Sequence, residues 1–252
     1  MKRFILPPLG VAIALVLWHW ICVQFKLPTS ALPTPGQVLE AGVGRWDLIL
    51  SEGWVTLKET LYGFLLALAL GVPIAVAVTN SRTLNLMFSP ILIALQSVPK
   101  VALAPILLVW LGTGIESKLA IAWLVAFFPI VVDTSAGLQS TPRELLELAR
   151  SLRASRWQVF AKVQFPSALP FIVTGSKVAV TLAVIGAVIG EFVGSSEGLG
   201  YLLLSATSQI NSPLAFAALF ALAALGILAY LLVVAVELLL TPWLPPSHER
   251  TH

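Results

Sequence analysis

Long apolar runs alternate with short polar turns along most of the chain. A membrane-spanning helix needs about 20 mostly apolar residues. Phe4 to Val23 meets that length and is the first expected span. Gln24 to Glu59 is more polar, with Pro28, Pro33 and Pro35 near its start. Thr60 to Thr79 is uncharged and forms the second expected span, closed by a short turn at Asn80-Ser81-Arg82. Leu84 to Leu111 is the third, its only charge being Lys100. After a turn over Gly112 to Lys118, Leu119 to Val132 is the fourth. Thr141 to Lys162 breaks the pattern, with seven charges in 22 residues. Pro170 to Gly190 is the fifth span and contains Lys177. The uncharged stretch Gly198 to Val236 is too long for one helix. It divides into a re-entrant or interfacial piece near Tyr201 to Ile210 and a sixth span from about Pro213 to Leu240. The tail Pro242 to His252 is polar.

The pattern therefore predicts an all-α, polytopic membrane protein with six transmembrane helices. Composition agrees: 58% of the 252 residues are hydrophobic and 11% are charged, against roughly 25% charged in a soluble domain. A soluble enzyme, a nucleic-acid binder and a disordered chain are excluded on that ground. The Lys2-Arg3 start resembles a signal peptide, but Phe4 to Val23 is too long for a typical apolar region of one. No small-x-small cleavage site follows it, so it reads as a retained first span. Six spans put both termini on one side. That side holds nine Lys or Arg and the other holds four: Lys26, Arg45, Lys58 and Lys118. Basic residues resist translocation, so both termini and the charged loop are expected in the cytoplasm. Trp18, Trp20, Trp46, Trp54 and Trp110 then fall at the outer interface. Cys22 is the one cysteine, and His19, His248 and His252 show no metal-ligand spacing.

The loop TPRELLELARSLRASRWQVFAKVQFPSALP, Thr141 to Pro170, carries the most information. Thr141-Pro142-x-Glu144 reads as a helix start and Ser155-Arg156-Trp157-Gln158 as a capping box. Leu145, Leu148, Ala149 and Leu152 form one apolar stripe at helical spacing, and Val159, Phe160 and Val163 another. Pro166 and Pro170 end the second helix. Two short amphipathic helices between spans four and five admit three readings. They are an embedded helix-turn-helix, a pair lying on anionic lipid through Arg150, Arg153, Arg156 and Lys162, or a docking element for a cytoplasmic partner.

The same loop resembles the EAA motif of bacterial ABC-importer permeases. Glu147-Leu148-Ala149 stands for its E-A-A, and Val163-x-Phe165-Pro166 for its I-x-L-P at the correct spacing. The motif's glycine falls on Arg153, which puts the usual turn geometry in question. Leu32-Pro33-Thr34-Pro35, Gly71-Val72-Pro73, the run Val98 to Pro105, Trp110-Leu111-Gly112, Phe128-Pro129-Ile130 and Gly198-Leu199-Gly200-Tyr201-Leu202 are similar to the nitrate, sulfonate, taurine and bicarbonate permease family. Thr56-Leu57-Lys58-Glu59 and Gly190-Glu191-Phe192-Val193-Gly194 look most like members linked to pyrimidine (thiamine-precursor) or riboflavin uptake. The resemblance implies a type I ABC-importer permease fold over residues 1–252 as a single transmembrane domain, with residues 141–166 as a cytoplasmic coupling loop. It implies Glu144, Glu147, Leu148, Ala149, Leu152, Arg153, Ser155, Val163, Phe165 and Pro166 as the coupling residues. It further implies a bacterial inner-membrane location, a second permease copy, a periplasmic or lipid-anchored solute-binding protein, and a cytoplasmic ATPase dimer that uses ATP and Mg. The chain has no GxxxxGK[ST] phosphate loop, Gly175-Ser176-Lys177 being only a fragment inside a span. Hydrolysis is accordingly expected on another polypeptide, and no bound cofactor, catalytic residue or nucleic-acid partner is expected for this one.

Ionisable groups in spans are costly and mark function by default. Lys100 sits between Pro99 and Pro105; it reads either as a pore-facing cation or as a clamp on kinked backbone. Glu191 reads either as a gate group or as an interfacial carboxylate against Gly-rich backbone, with Ser195 and Ser196 beside it as further path candidates. Glu59, next to Lys58, is a path candidate for which a surface position is the favoured reading. Lys177 is expected to snorkel and Asp133 to meet water at the end of span four. Ala179, Ala183, Gly186 and Gly190 form a small-residue stripe that serves a dimer seam or packing within the chain. Two rival functions remain. An ATP-independent secondary transporter needs its own coupling carboxylates, and only Lys100 reads as convincingly deep. An intramembrane enzyme needs a nucleophile or metal set, and none is visible.

Overall fold

The computed structural model describes residues 2–240, with side chains from Leu6 onward except residue 7. The expected polar tail, with His248 and His252, lies outside the described residues. Eleven α-helices run through them: α1 (Lys2–Gln24), α2 (Pro35–Gly44), α3 (Trp46–Asn80), α4 (Arg82–Ser97), α5 (Ala104–Leu111), α6 (Ile115–Gln139), α7 (Arg143–Ser151), α8 (Arg156–Val159), α9 (Phe165–Gly194), α10 (Leu199–Ser208) and α11 (Ser212–Leu240). Four helical runs are long and apolar enough to cross a membrane: α3, α6, Arg156–Gly194 and α11. The bent pair α4 and α5 makes a fifth when counted as one span. In α1 the apolar stretch Pro8–Gln24 is shorter than these.

Three expected elements are corrected. The second span begins at Trp46 rather than Thr60, because Glu52, Thr56 and Glu59 continue the helix with their polar groups turned onto protein. The third span is not one straight helix. Pro99 denies the helix a donor, the chain leaves α4 at Val98, makes a 3-10 turn over Lys100–Leu103, and resumes as α5 with a bend of 88°. The second loop helix does not stop at Pro166. Instead α8 passes through a π turn at Phe160–Gln164 into α9, giving one helical run of 39 residues. The π turn sits just before Pro166, whose missing N–H would otherwise leave a carbonyl of that turn unmatched. The piece expected near Tyr201 to Ile210 is α10, set between α9 and α11.

α6 runs through the middle of the bundle, parallel to α3 and antiparallel to α9. Ala122 lies between two glycines. A Cβ at Gly63 of α3 would come 2.5 Å from the Ala122 Cβ, and one at Gly186 of α9 would come 2.6 Å from the Ala122 Cα. Both distances are below van der Waals contact, so only glycine allows either backbone this close. The stripe Ala179, Ala183, Gly186 and Gly190 is thus buried within the chain against α6. Around it Phe64, Phe128, Ile130, Val180 and Leu222 close the main apolar core. Forcing a larger side chain into such a contact costs about 1–3 kcal/mol or more. Gly186→Val is expected to lower the unfolding temperature of the detergent-purified protein, while Gly226→Val, at an open position on α11, leaves it unchanged; equal effects at both would refute the close-approach account.

Candidate functional site

At one end of the bundle, α7 and α8 form the charged loop. Ser155 caps α8 as expected: its Oγ accepts from the Gln158 amide at 3.3 Å, and the Gln158 side chain accepts from the Ser155 amide at 2.8 Å. Thr141 does not cap α7. Its hydroxyl is buried and donates to the Leu138 carbonyl at the end of α6 at 3.0 Å, and α7 starts after Pro142 with no side-chain cap. Pro142 removes one N–H from the helix entry, and the first turn is exposed, so water serves its remaining amides.

Arg153 takes the left-handed conformation that the motif glycine would provide, with φ +53°. The Ala154 amide donates to the Ala149 carbonyl at 3.0 Å and the Arg153 amide to the Arg150 carbonyl at 2.9 Å. That bond pair is a Schellman termination. The turn geometry survives the arginine, at a cost of about 1–2 kcal/mol for a left-handed non-glycine residue. Of the first stripe, Ala149 is buried against the chain, whereas Leu145, Leu148 and Leu152 are exposed, Leu152 by 74%. Trp157 is 72% exposed, and Glu144, Glu147 and Arg153 are also solvent-facing. Val163 and Pro166 are half-buried, and Phe165 stacks near Phe160 at 5.9 Å between ring centres.

A polar cluster occupies the opposite end. Glu191 of α9 is 1% exposed and binds two donors, the Thr56 hydroxyl and the Gly200 amide, each at 2.6 Å. Thr56 in turn accepts from the Leu199 amide at 2.8 Å, and Glu52 accepts from the Gly198 amide at 2.5 Å. Residues 52 and 56 thus hold the N-terminus of α10, whose first amides have no helical partner. Gly198 enters that turn at φ +102°, where a side chain would also strike the Glu191 carboxylate. The neighbouring Glu59 is 1% exposed, not at the surface as expected; its carboxylate meets the Lys118 ammonium at 3.0 Å. Lys118, expected in a turn, lies in the first turns of α6 against Gly190. A cavity of about 270 Å³ opens beside Glu59, Lys118 and Ser196. Ser195 is engaged locally, donating to the Glu197 carbonyl at 2.6 Å. The expectation that only Lys100 is deep is therefore corrected: Glu59, Lys118 and Glu191 are more buried than it is.

Lys100 stands at the break between α4 and α5, half-buried. Its ammonium donates to the Gln96 carbonyl at 3.3 Å and lies 4.8 Å over the Phe128 ring. It borders a cavity of about 380 Å³ together with Gln96, Val125, Phe128, Pro129 and Asp133. Asp133 lies against Gly175 of α9 and shares that cavity rather than ending its helix in bulk water. Lys177 does not simply snorkel; it pairs with Glu237 of α11 at 2.6 Å. Sequence reasoning missed Glu52, Thr56, Lys118 and Asp133 as site residues. For the first two the signal was present, since 52, 56 and 59 repeat at helical spacing once the polar stretch is read as helix.

The model of the "binding-protein-dependent transport system inner membrane component" family matches residues 67–244. The chain belongs to that family. Among relatives of this permease, the formylaminopyrimidine transport permease protein ThiX of Halalkalibacterium halodurans is 36% identical over 94% of this chain and 95% of its own. The riboflavin transport system permease protein RibX of Chloroflexus aurantiacus is 37% identical over 96% and 93%. A chain from the inward-facing MetNI methionine ABC transporter superposes with a TM-score of 0.68 at 23% identity, covering 77% of the permease and 96% of that chain. The permease thus has the fold of ABC-importer membrane subunits and acts as a permease component of a binding-protein-dependent transport system.

Removing one partner of a buried ion pair costs about 3–5 kcal/mol because the other charge stays buried. Lys118→Met is expected to destabilise the permease by that order, and Lys118→Met with Glu59→Gln to recover much of the loss. Thermal unfolding of the two variants checks this; equal destabilisation would mean that the pair is not coupled.

Proposed function

We propose that this permease is the path-forming subunit of an ATP-driven importer in a bacterial inner membrane, with hydrolysis on a separate cytoplasmic ATPase dimer that uses ATP and Mg. A periplasmic or lipid-anchored binding protein delivers the solute, and two copies of the permease form the path. Six spans, with α1 as the first and the α4–α5 pair as the third, put both termini on the side of α7 and α8. The bias of Lys and Arg toward that end supports its being cytoplasmic. Alternating access carries the solute inward, and the solute is drawn from the classes carried by the relatives, with a pyrimidine or a flavin first.

The observation that carries this reading is the loop of α7 and α8. Leu148, Leu152 and Trp157 stand exposed among charges on helices that join α6 to α9 without a flexible linker. An apolar helix face surrounded by charges suits a groove on a protein partner. Because α8 continues into α9, a push on the loop is delivered to a spanning helix.

Two tests follow. Glu147→Lys and Leu148→Asp, both at exposed positions, are expected to abolish solute-stimulated ATP hydrolysis while the permease still inserts; retained stimulation in both would rule out the loop as the transmission. Cross-linking in native membranes and mass spectrometry are expected to recover an ATPase, a solute-binding protein and a single permease species at a mass requiring two copies. Two different permease chains would remove the homodimer. Recovery of this chain alone, with ATP-independent uptake, would favour a secondary transporter using Glu59, Lys118 and Glu191.

A further inference from the structure

We propose that the cavity between α4, α6 and the Pro99 break is a solute subsite for a net-neutral polar molecule that presents both an acceptor and a donor. The proposal rests on the permease reading and names the solute class of its path. Two opposite charges border the same cavity of about 380 Å³, Lys100 from the helix break and Asp133 from α6. They do not pair with each other: among the described residues the ion pairs are Lys118 with Glu59 and Lys177 with Glu237. Lys100 has only a carbonyl and the face of Phe128 for company. An ionisable group within a span calls for a partner, because the surroundings replace water poorly. The other deep charges of this chain have theirs, in Thr56, Gly200, Lys118 and Glu237.

The backbone adds to the same site. Pro129 has no N–H, so the Val125 carbonyl one turn earlier loses its helical donor, and both residues border the cavity. Broken or interrupted helices inside a membrane are tolerated where they line a cavity that satisfies them. Gly175 leaves the space into which the Asp133 carboxylate fits, since a Cβ there would lie 2.8 Å from its Oδ2. The cavity therefore offers a cation and an amide on one side, and a carboxylate and a free carbonyl on the other. A solute with an acceptor for Lys100 and a donor for Asp133 satisfies both and adds no net charge. A simple anion satisfies Lys100 but faces the Asp133 carboxylate, and that repulsion is the element that rejects it. Aminopyrimidines, flavins and zwitterions, aminosulfonates included, fit this description; nitrate and aliphatic sulfonates that lack an amino group do not.

The test is equilibrium binding to the detergent-purified permease with its co-purified ATPase. Formylaminopyrimidine, riboflavin and taurine serve as net-neutral probes, and nitrate and ethanesulfonate as anionic ones, each up to millimolar concentration. At least one net-neutral probe is expected to bind. Its affinity is expected to fall about tenfold or more in both Lys100→Met and Asp133→Asn, as for loss of a hydrogen bond to a charged group. Lys100→Arg is expected to restore it, and Lys100→Met and Asp133→Asn are both expected to keep the co-purified ATPase, which a mere folding defect would not allow. Asp133→Asn is also expected to admit ethanesulfonate. Binding of no net-neutral probe, binding that survives in both variants, or binding of nitrate to the native protein at equal affinity overturns the proposal. The permease reading fails differently, by absence of any co-purified ATPase from the native protein. ATPase retained in both variants keeps that reading whichever way the binding falls.

Discussion

The contact of α6 with α3 on one side and α9 on the other sets the positions of everything else. In a membrane the apolar effect does not drive one helix against another, since lipid tails are as apolar as a leucine. Close backbone approach replaces it, and here Gly63 and Gly186 bring two helices onto the same alanine of a third. Once α6 is held at Ala122, Lys118 falls beside Gly190 and Glu59 four residues before Gly63 comes within reach of it. Toward the other end of α6, Asp133 falls beside Gly175. The charged positions are thus a consequence of helix register rather than of local preference.

The two ends of the bundle are built to different rules. At the end with α10 the carboxylates turned onto protein are tied to donors: Glu191 to Thr56 and Gly200, Glu52 to Gly198, Glu59 to Lys118 through one of its oxygens, while the other Glu59 oxygen and the Thr60 hydroxyl have no partner among the described residues. These bonds couple α3, α6, α9 and the start of α10 into one unit. At the end with α7 and α8, apolar side chains face outward and local caps hold the turns. A hydrogen-bonded end and a loop that presents apolar side chains are joined by one long helix from Arg156 to Gly194, so a push at either end has a continuous route to the other.

Between the ends, the Pro99 break does what prolines in spans generally do, which is to open backbone where a cavity can receive it. Its consequence is that Lys100 turns toward Phe128 rather than along a helix surface. A straight third span would have presented that lysine to lipid or to a neighbouring helix. The bend makes it part of a cavity shared with α6.

Much was legible from sequence because it depends on neighbours in the chain. Apolar run length located α6 and α11 and most of α9, and the Ser155 box located the start of α8, since capping is settled within four residues. The loop motif carried the family. Errors arose wherever a polar residue was judged by hydropathy alone. Glu59 and Lys118 were placed outside the helices because each is costly alone, and their pairing lies 59 residues apart in sequence. Thr141 was read as a cap for the helix after it, while the packed end of α6 gave its hydroxyl a carbonyl before it. Whether the small-residue stripe faced a second copy or its own chain, and whether Lys100 and Asp133 met in one cavity, depended on how three helices cross. Periodicity states which residues share a face; only the folded bundle states what that face is pressed against.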